Sequence, residues 1–152
     1  MPSNVTTPWR KSGYCSTLRD SGLRPTRQRV QIAELLFAKG DRHLTAETLF
    51  AEAREQRYPP SLATIYNALR DFAAHGLVRE IALYGAKTWY DTKIGPHFHF
   101  YLEDRDELFD IPEEFIPLMN VPAPDGTEIV GVDVVIRLSA KDGETPTTPR
   151  HD

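Results

Sequence analysis

Cysteine is almost missing: Cys15 is the only one in 152 residues. A lone thiol excludes an internal disulfide. It also excludes any Cys-x-x-Cys zinc knuckle, because both need at least two sulfurs on one chain. Long apolar runs are lacking too, and each falls far short of the ~20 residues that a membrane-spanning helix needs. No basic-then-apolar leader opens the chain, so the expected location is the cytoplasm, with no membrane partner. There is no internal repeat, no Ser-His-Asp order, no nucleophile elbow and no phosphate-cradling glycine loop, so those chemistries have no support in the residues.

What is there is the composition of a folded domain, 40% hydrophobic and 26% charged, over a length that suits one ordinary domain or two small ones. The net charge of -4 hides a division. Residues 1–30 carry Arg10, Lys11, Arg19, Arg24, Arg27 and Arg29 against Asp20 alone, whereas residues 97–133 hold ten acids and only Arg105. A chain that is basic at one end and acidic at the other grips a polyanion with one end only.

Residues 61–78 are the most informative stretch. At ~100° per residue, Leu62, Ile65, Leu69 and Phe72 line one narrow stripe, while Ala63, Thr64, Asn67 and Arg70 lie opposite and Tyr66 lies at the flank. Small apolar, hydrogen-bonding and cationic groups on one face are what reads base edges and phosphates. Pro59-Pro60 stops the preceding element, Ser61 is the expected N-cap, and Gly76 supplies the left-handed residue after the helix, with Leu77 folding back. The competing reading of this pattern is an ordinary amphipathic core helix.

Its neighbours favour DNA. A helix is expected from Tyr14 to Ser21, a second from a Thr26 cap to about Lys39 with Val30, Ala33, Leu36 and Phe37 inward, and a third from a Thr45 cap, with β-like runs at Val78–Leu83 and Lys87–Asp91 around Tyr84-Gly85-Ala86. That order is a winged helix-turn-helix. Beyond Gly95-Pro96, strands are expected at His97–Leu102 and Leu108–Ile111, a short helix at Pro112–Met119, and one long half-buried strand in which Val130, Val132, Val134, Ile136 and Leu138 alternate with other residues. The fold class is thus α+β: a flexible arm over 1–13, a DNA-binding domain over 14–92, a small α/β domain over 93–140 and a disordered tail over 141–152. Some fifty residues cannot close a large core, and a homodimer that continues the sheet is the simple remedy.

His97 and His99 are two apart, so on a strand both imidazoles share a face. With His43, expected on the loop before the third helix, and with Asp91 and Asp110 they form a candidate site for one divalent transition metal per subunit (Fe, Mn or Zn), linking metal binding to DNA affinity. A different class remains open: His97-x-His99-x-x-x-Glu103 has the spacing of a cupin-like non-haem iron enzyme. A third reading keeps DNA and drops the metal, leaving the histidines structural or bound to haem.

Gly22-Leu23-Arg24-Pro25-Thr26-Arg27-Gln28-Arg29, His43-Leu44-Thr45-Ala46-Glu47 and Ser61-Leu62-Ala63-Thr64-Ile65-Tyr66 resemble the ferric uptake regulator family. Gly85-Ala86-Lys87-Thr88-Trp89-Tyr90-Asp91-Thr92 and Val132–Leu138 resemble its iron response regulator branch. The resemblance runs from about residue 15 to 140. It implies a dimeric transcriptional regulator of iron homeostasis, a repressor by type, with an N-terminal winged helix and a C-terminal dimerisation domain. By position it assigns base reading to Tyr66 and Asn67, neighbouring contacts to Ser61 and Thr64, a minor-groove contact to Arg24, and the regulatory metal to His43, Asp91, His97, His99 and Asp110. Arg70 adds a phosphate contact. The family's structural zinc is not expected, because Leu102 and Arg105 stand where its first cysteine pair would be. Haem sensing, known in the branch, would rest here on His97-Phe98-His99 and on Cys15, which the residues alone read sooner as a small residue packing near the first helix.

Overall fold

The computed structural model describes residues 12–81, 83, 85, 87–95, 98–115 and 120–147. They divide into two compact units, residues 1–94 and 95–152.

The first unit is built on four helices: α1 (Gly13–Asp20), α2 (Arg27–Phe37), α3 (Ala46–Ala53) and α4 (Leu62–Ala74). Each opens on a hydroxyl cap that takes up an otherwise orphan N–H: Ser12 accepts from Tyr14, Thr26 from Arg29, Thr45 from Thr48 and Ser61 from Thr64. Both α1 and α4 close with a glycine at positive φ, Gly22 at 91° and Gly76 at 75°. The next residue then turns back, and the N–H of Leu77 donates to the carbonyl of Phe72 at 2.8 Å. Leu18, Val30, Leu36, Leu49, Ile65, Leu69 and Phe72 are fully buried and make one core with Ala33, Ala46 and Ala53. Ile32 joins them, while Phe37, expected inward, is half-buried and stacks on Tyr14 at 6.0 Å.

A three-stranded antiparallel sheet completes this unit, with strand order β1 (His43–Thr45), β3 (Trp89–Asp91), β2 (Arg79–Ile81). Two expectations are corrected here. The wing runs are three residues each, shorter than Val78–Leu83 and Lys87–Asp91, and Tyr84 and Ala86 lie outside the described residues. His43, expected in a loop, sits on a strand, because β3 offers a second free edge and three residues suffice to bridge it before Thr45 caps α3.

The second unit holds a sheet of order β5 (Glu107–Asp110), β4 (His99–Leu102), β6 (Val135–Leu138). Strands β4 and β5 are antiparallel around the acidic turn, and β4 and β6 are parallel. The long half-buried strand does not form. Only Val135–Leu138 pair, residues 129–134 are irregular, and Val130 is 95% exposed. An alternating pattern needs a ladder partner along its whole length, and β4 supplies one for four residues. Within Pro112–Met119, a 3-10 turn covers Glu113–Phe115, and residues 116–119 lie outside the description. So do residues 1–11 of the expected arm and 148–152 of the expected tail.

Candidate nucleic-acid interface and metal-ligand pairs

Helix α4 is divided as its periodicity predicts. Ile65, Leu69 and Phe72 are buried with Ala68, and Leu62 packs half-buried on the core. Ala63, Tyr66, Asn67 and Arg70 are exposed, Thr64 half so. The outer groups are tied to one another. The Ser61 and Thr64 hydroxyls lie 2.9 Å apart, and Arg70 Nη2 donates to Asn67 Oδ1 at 3.1 Å. The Tyr66 hydroxyl donates to the Glu47 carboxylate in the first turn of α3. That bond holds the Glu47 carboxyl below its ordinary range, and it raises the Tyr66 phenol.

Arg24 is exposed on the turn before α2. Its carbonyl accepts from Arg29 Nη1 at 2.9 Å, while Arg29 Nη2 pairs with Asp71 of α4 at 3.1 Å. One guanidinium therefore fixes the Arg24 turn against α4, and a cleft of about 470 Å³ opens between them, lined by Arg24, Thr64 and Asn67 among others. Sequence reasoning missed Arg29 as this brace, and it missed Glu47. Both partnerships cross between helices, which no periodicity shows. It also missed Arg27 and Arg57, whose guanidiniums lie 4.8 and 5.3 Å from the ring of the exposed Tyr58.

The expected metal ligands fall into two cross-strand pairs, one in each unit. In the first, His43 and Asp91 are register partners on β1 and β3, with Nε2 3.1 Å from Oδ2. Asp91 is 1% exposed, and its Oδ1 accepts the Lys93 N–H at 2.8 Å, so backbone and imidazole orient both of its oxygens. In the second, His99 and Asp110 are register partners on β4 and β5, with Nε2 3.6 Å from Oδ1 and His99 almost fully buried. Directly opposed residues of an antiparallel ladder have Cβ atoms ~5 Å apart, which is why register alone joins each imidazole to its carboxylate. The fifth expected ligand, His97, lies outside the described residues.

The cupin-like alternative is corrected. Glu103 follows β4 in the turn, past the strand end opposite to His99, and is ion-paired with Arg137. Among the described residues the sheets have three strands each, not the eight of such a barrel. Cys15 is 3% exposed and packs in the helical core. Where the first cysteine pair of a structural zinc would stand, Leu102 is buried and Arg105 is exposed. The adjoining turn is held instead by Tyr101 donating to Asp106 at 2.8 Å and by Ser139 donating to Asp104 at 3.1 Å.

A profile described as the Ferric uptake regulator family matches residues 20–134. The chain is 36% identical over 95 residues to the peroxide operon regulator of Bacillus subtilis (strain 168), a match spanning 62% of this chain and 64% of that relative, just under two thirds of its length. It is 29% identical over 129 residues to the ferric uptake regulation protein of Pseudomonas aeruginosa, covering 83% of this chain and 96% of the relative. A structure of the ferric uptake regulator from Pseudomonas aeruginosa with manganese superposes at a TM-score of 0.67 with 26% identity, over 86% of this chain and 100% of that one.

Proposed function

The chain belongs to the ferric uptake regulator family, and from that premise we propose that it is a homodimeric, metal-responsive transcriptional regulator of iron homeostasis that binds operator DNA through α4. The observation that carries this reading is the capped, two-faced α4, whose core stripe is buried and whose Ala63, Tyr66, Asn67 and Arg70 are exposed. Tyr66 and Asn67 read base edges, Ser61 and Thr64 support them, Arg70 contacts phosphate, and Arg24 enters the minor groove. Two copies of α4 in a symmetric pair suit a two-fold operator. Exposed apolar side chains on and before β6, Ile129, Val130, Val132, Ile136 and Leu138, support assembly through the second unit. Few described side chains of that unit are buried, and a second copy would enlarge its core.

The regulatory ligand is a divalent transition metal, Fe, Mn or Zn, taken by His43, Asp91, His97, His99 and Asp110. The donor set fits, since imidazole nitrogens with carboxylate oxygens suit these ions. The backbone bond to Asp91 is the kind of outer support that orients a ligating carboxylate. Bound there, the ion supplies fixed positive charge and cross-linking rather than chemistry on a substrate, so the protein acts by binding and not as an enzyme. Metal affinity and DNA affinity are then reciprocally linked. Operator binding places the protein in the cytoplasm, and no helix among the described residues is long and apolar enough to cross a membrane.

The test is a mobility-shift titration with an iron-responsive operator, run side by side on metal-free, Mn-loaded and haem-loaded protein. Retardation that depends on metal supports the reading. No retardation at low salt in any form removes it.

A further inference from the structure

Tyr66 carries one hydroxyl proton, and it is donated in a hydrogen bond to the Glu47 carboxylate. We infer that Glu47 fixes the hydrogen-bond polarity of Tyr66, so that its hydroxyl reads only base donors in the major groove: the 6-amino group of adenine or the 4-amino group of cytosine. The inference rests on the operator-binding reading above and names which base edge that site takes.

A phenol offers one donor and two acceptor lone pairs. Once the proton points at Glu47, only lone pairs remain for DNA. Guanine O6 and N7 and thymine O4 are acceptors and gain nothing from them. DNA does not pull the proton away. A phenol–carboxylate bond is charge-assisted, roughly twice as strong as a neutral one. Breaking it would leave a carboxylate facing a polyanion without its donor, and water leaving the interface strengthens the bond further. Three features keep Glu47 ionised at this position. It lies in the first turn of α3, where the helix N-terminus favours a negative charge. The phenol bond and the charge of Lys87 both lower its affinity for a proton. With the phenol raised in turn, the shared proton stays on the tyrosine at neutral pH.

Glu47 has a second effect. Any phosphate nearby meets a negative charge, which weakens binding to arbitrary sequence. It should therefore lower background affinity while raising discrimination.

The experiment is selection from a randomised operator library with the full-length Mn-loaded protein, followed by affinity measurements on single sites. Wild type should enrich adenine or cytosine at one position per half-site that Tyr66→Phe no longer specifies. Glu47→Ala should flatten the same position by about fivefold, the worth of one net hydrogen bond. The double variant should lose no more than either single one. Glu47→Gln, whose carbonyl still accepts the phenol proton, should retain the preference, and both Glu47 variants should bind arbitrary-sequence DNA more tightly. At the sensitive pair, replacing adenine by purine, or cytosine by its 4-deamino analogue, should cost wild type about fivefold and the Tyr66→Phe variant nothing. The inference is overturned if Glu47→Ala leaves the Tyr66 position intact, or if the loss follows guanine O6 or thymine O4. Enrichment of no sequence by wild type would take down the operator-binding reading and this inference together.

Discussion

Replacing Glu52 by Gln keeps the shape of the side chain and removes the charge that holds Arg42. The guanidinium meets this carboxylate with two parallel bonds, Nη2 to Oε1 at 2.7 Å and Nη1 to Oε2 at 3.1 Å, and Lys39 adds a third at 3.3 Å. Arg42 also ends the β1–β3 ladder: its N–H donates to Thr92 Oγ1 at 2.8 Å and its carbonyl accepts the Thr92 N–H at 3.1 Å, one residue before His43. Hydrogen bonds to a charged group are worth ~1.5–3 kcal/mol and a fully exposed pair ~0–1. Side-chain exposures of 15% for Arg42 and 24% for Glu52 put this pair between the two, at about 1 kcal/mol. In a cooperative unit of this size that lowers Tm by roughly 4–8 °C. The Arg42 bonds hold the Glu52 carboxyl below its ordinary 4.5. A carboxyl depressed in the folded state stabilises fully above its unfolded value and loses that contribution as pH falls through the folded one. The gap between wild type and Glu52→Gln should thus be widest above about pH 5 and shrink below 4.5. The lowered carboxyl of Glu47 is present in both proteins and cancels in the difference. Urea or thermal unfolding of both at neutral and acid pH measures it. A gap that is absent at pH 7, or unchanged at pH 3.5, would refute the assignment.

Three further outcomes are expected. Asn67→Ala should change preference between operator sequences by ~1–3 kcal/mol per base contact, whereas Arg70→Ala should weaken binding to all sequences and, because its guanidinium holds Asn67 Oδ1, also relax preference at the Asn67 position; equal losses on all DNA for both variants would remove the division of roles. Asp91→Asn and His99→Ala should each lower Mn affinity by roughly tenfold or more in calorimetric titration, and a His99→Ala protein that keeps full affinity would show that the two pairs do not serve one ion. Gly76→Ala should destabilise by about 1 kcal/mol through its positive φ alone, since a Cβ there meets nothing within 4 Å; an unchanged urea midpoint would count against the glycine-closed end of α4.

Local chemistry was legible wherever it is local. Thr26, Thr45 and Ser61 cap as expected, and Gly22 and Gly76 close their helices. A cap needs only the next three residues and a left-handed turn needs only one, so neither depends on the rest of the chain. The stripe of α4 was legible for the same reason. Strand extent was not. Strand β1 escaped notice because three residues carry no usable period, and the Val130–Leu138 alternation overstated β6 because a strand exists only where another strand meets it.

The chain by itself determined that one helix has a core stripe and a polar face, that a single cysteine forbids a disulfide, and that histidine and carboxylate are the available metal donors. Only tertiary structure decided which of those groups touch. His43 meets Asp91 through strand register, Arg29 joins the Arg24 turn to Asp71, and Glu47 accepts the hydroxyl bond of Tyr66 from a different helix. Side chains 19 to 48 residues apart in sequence have no covalent reason to be neighbours. Their encounter is set by burial of a shared core, to which each residue of the pattern contributes and from which none can be read alone.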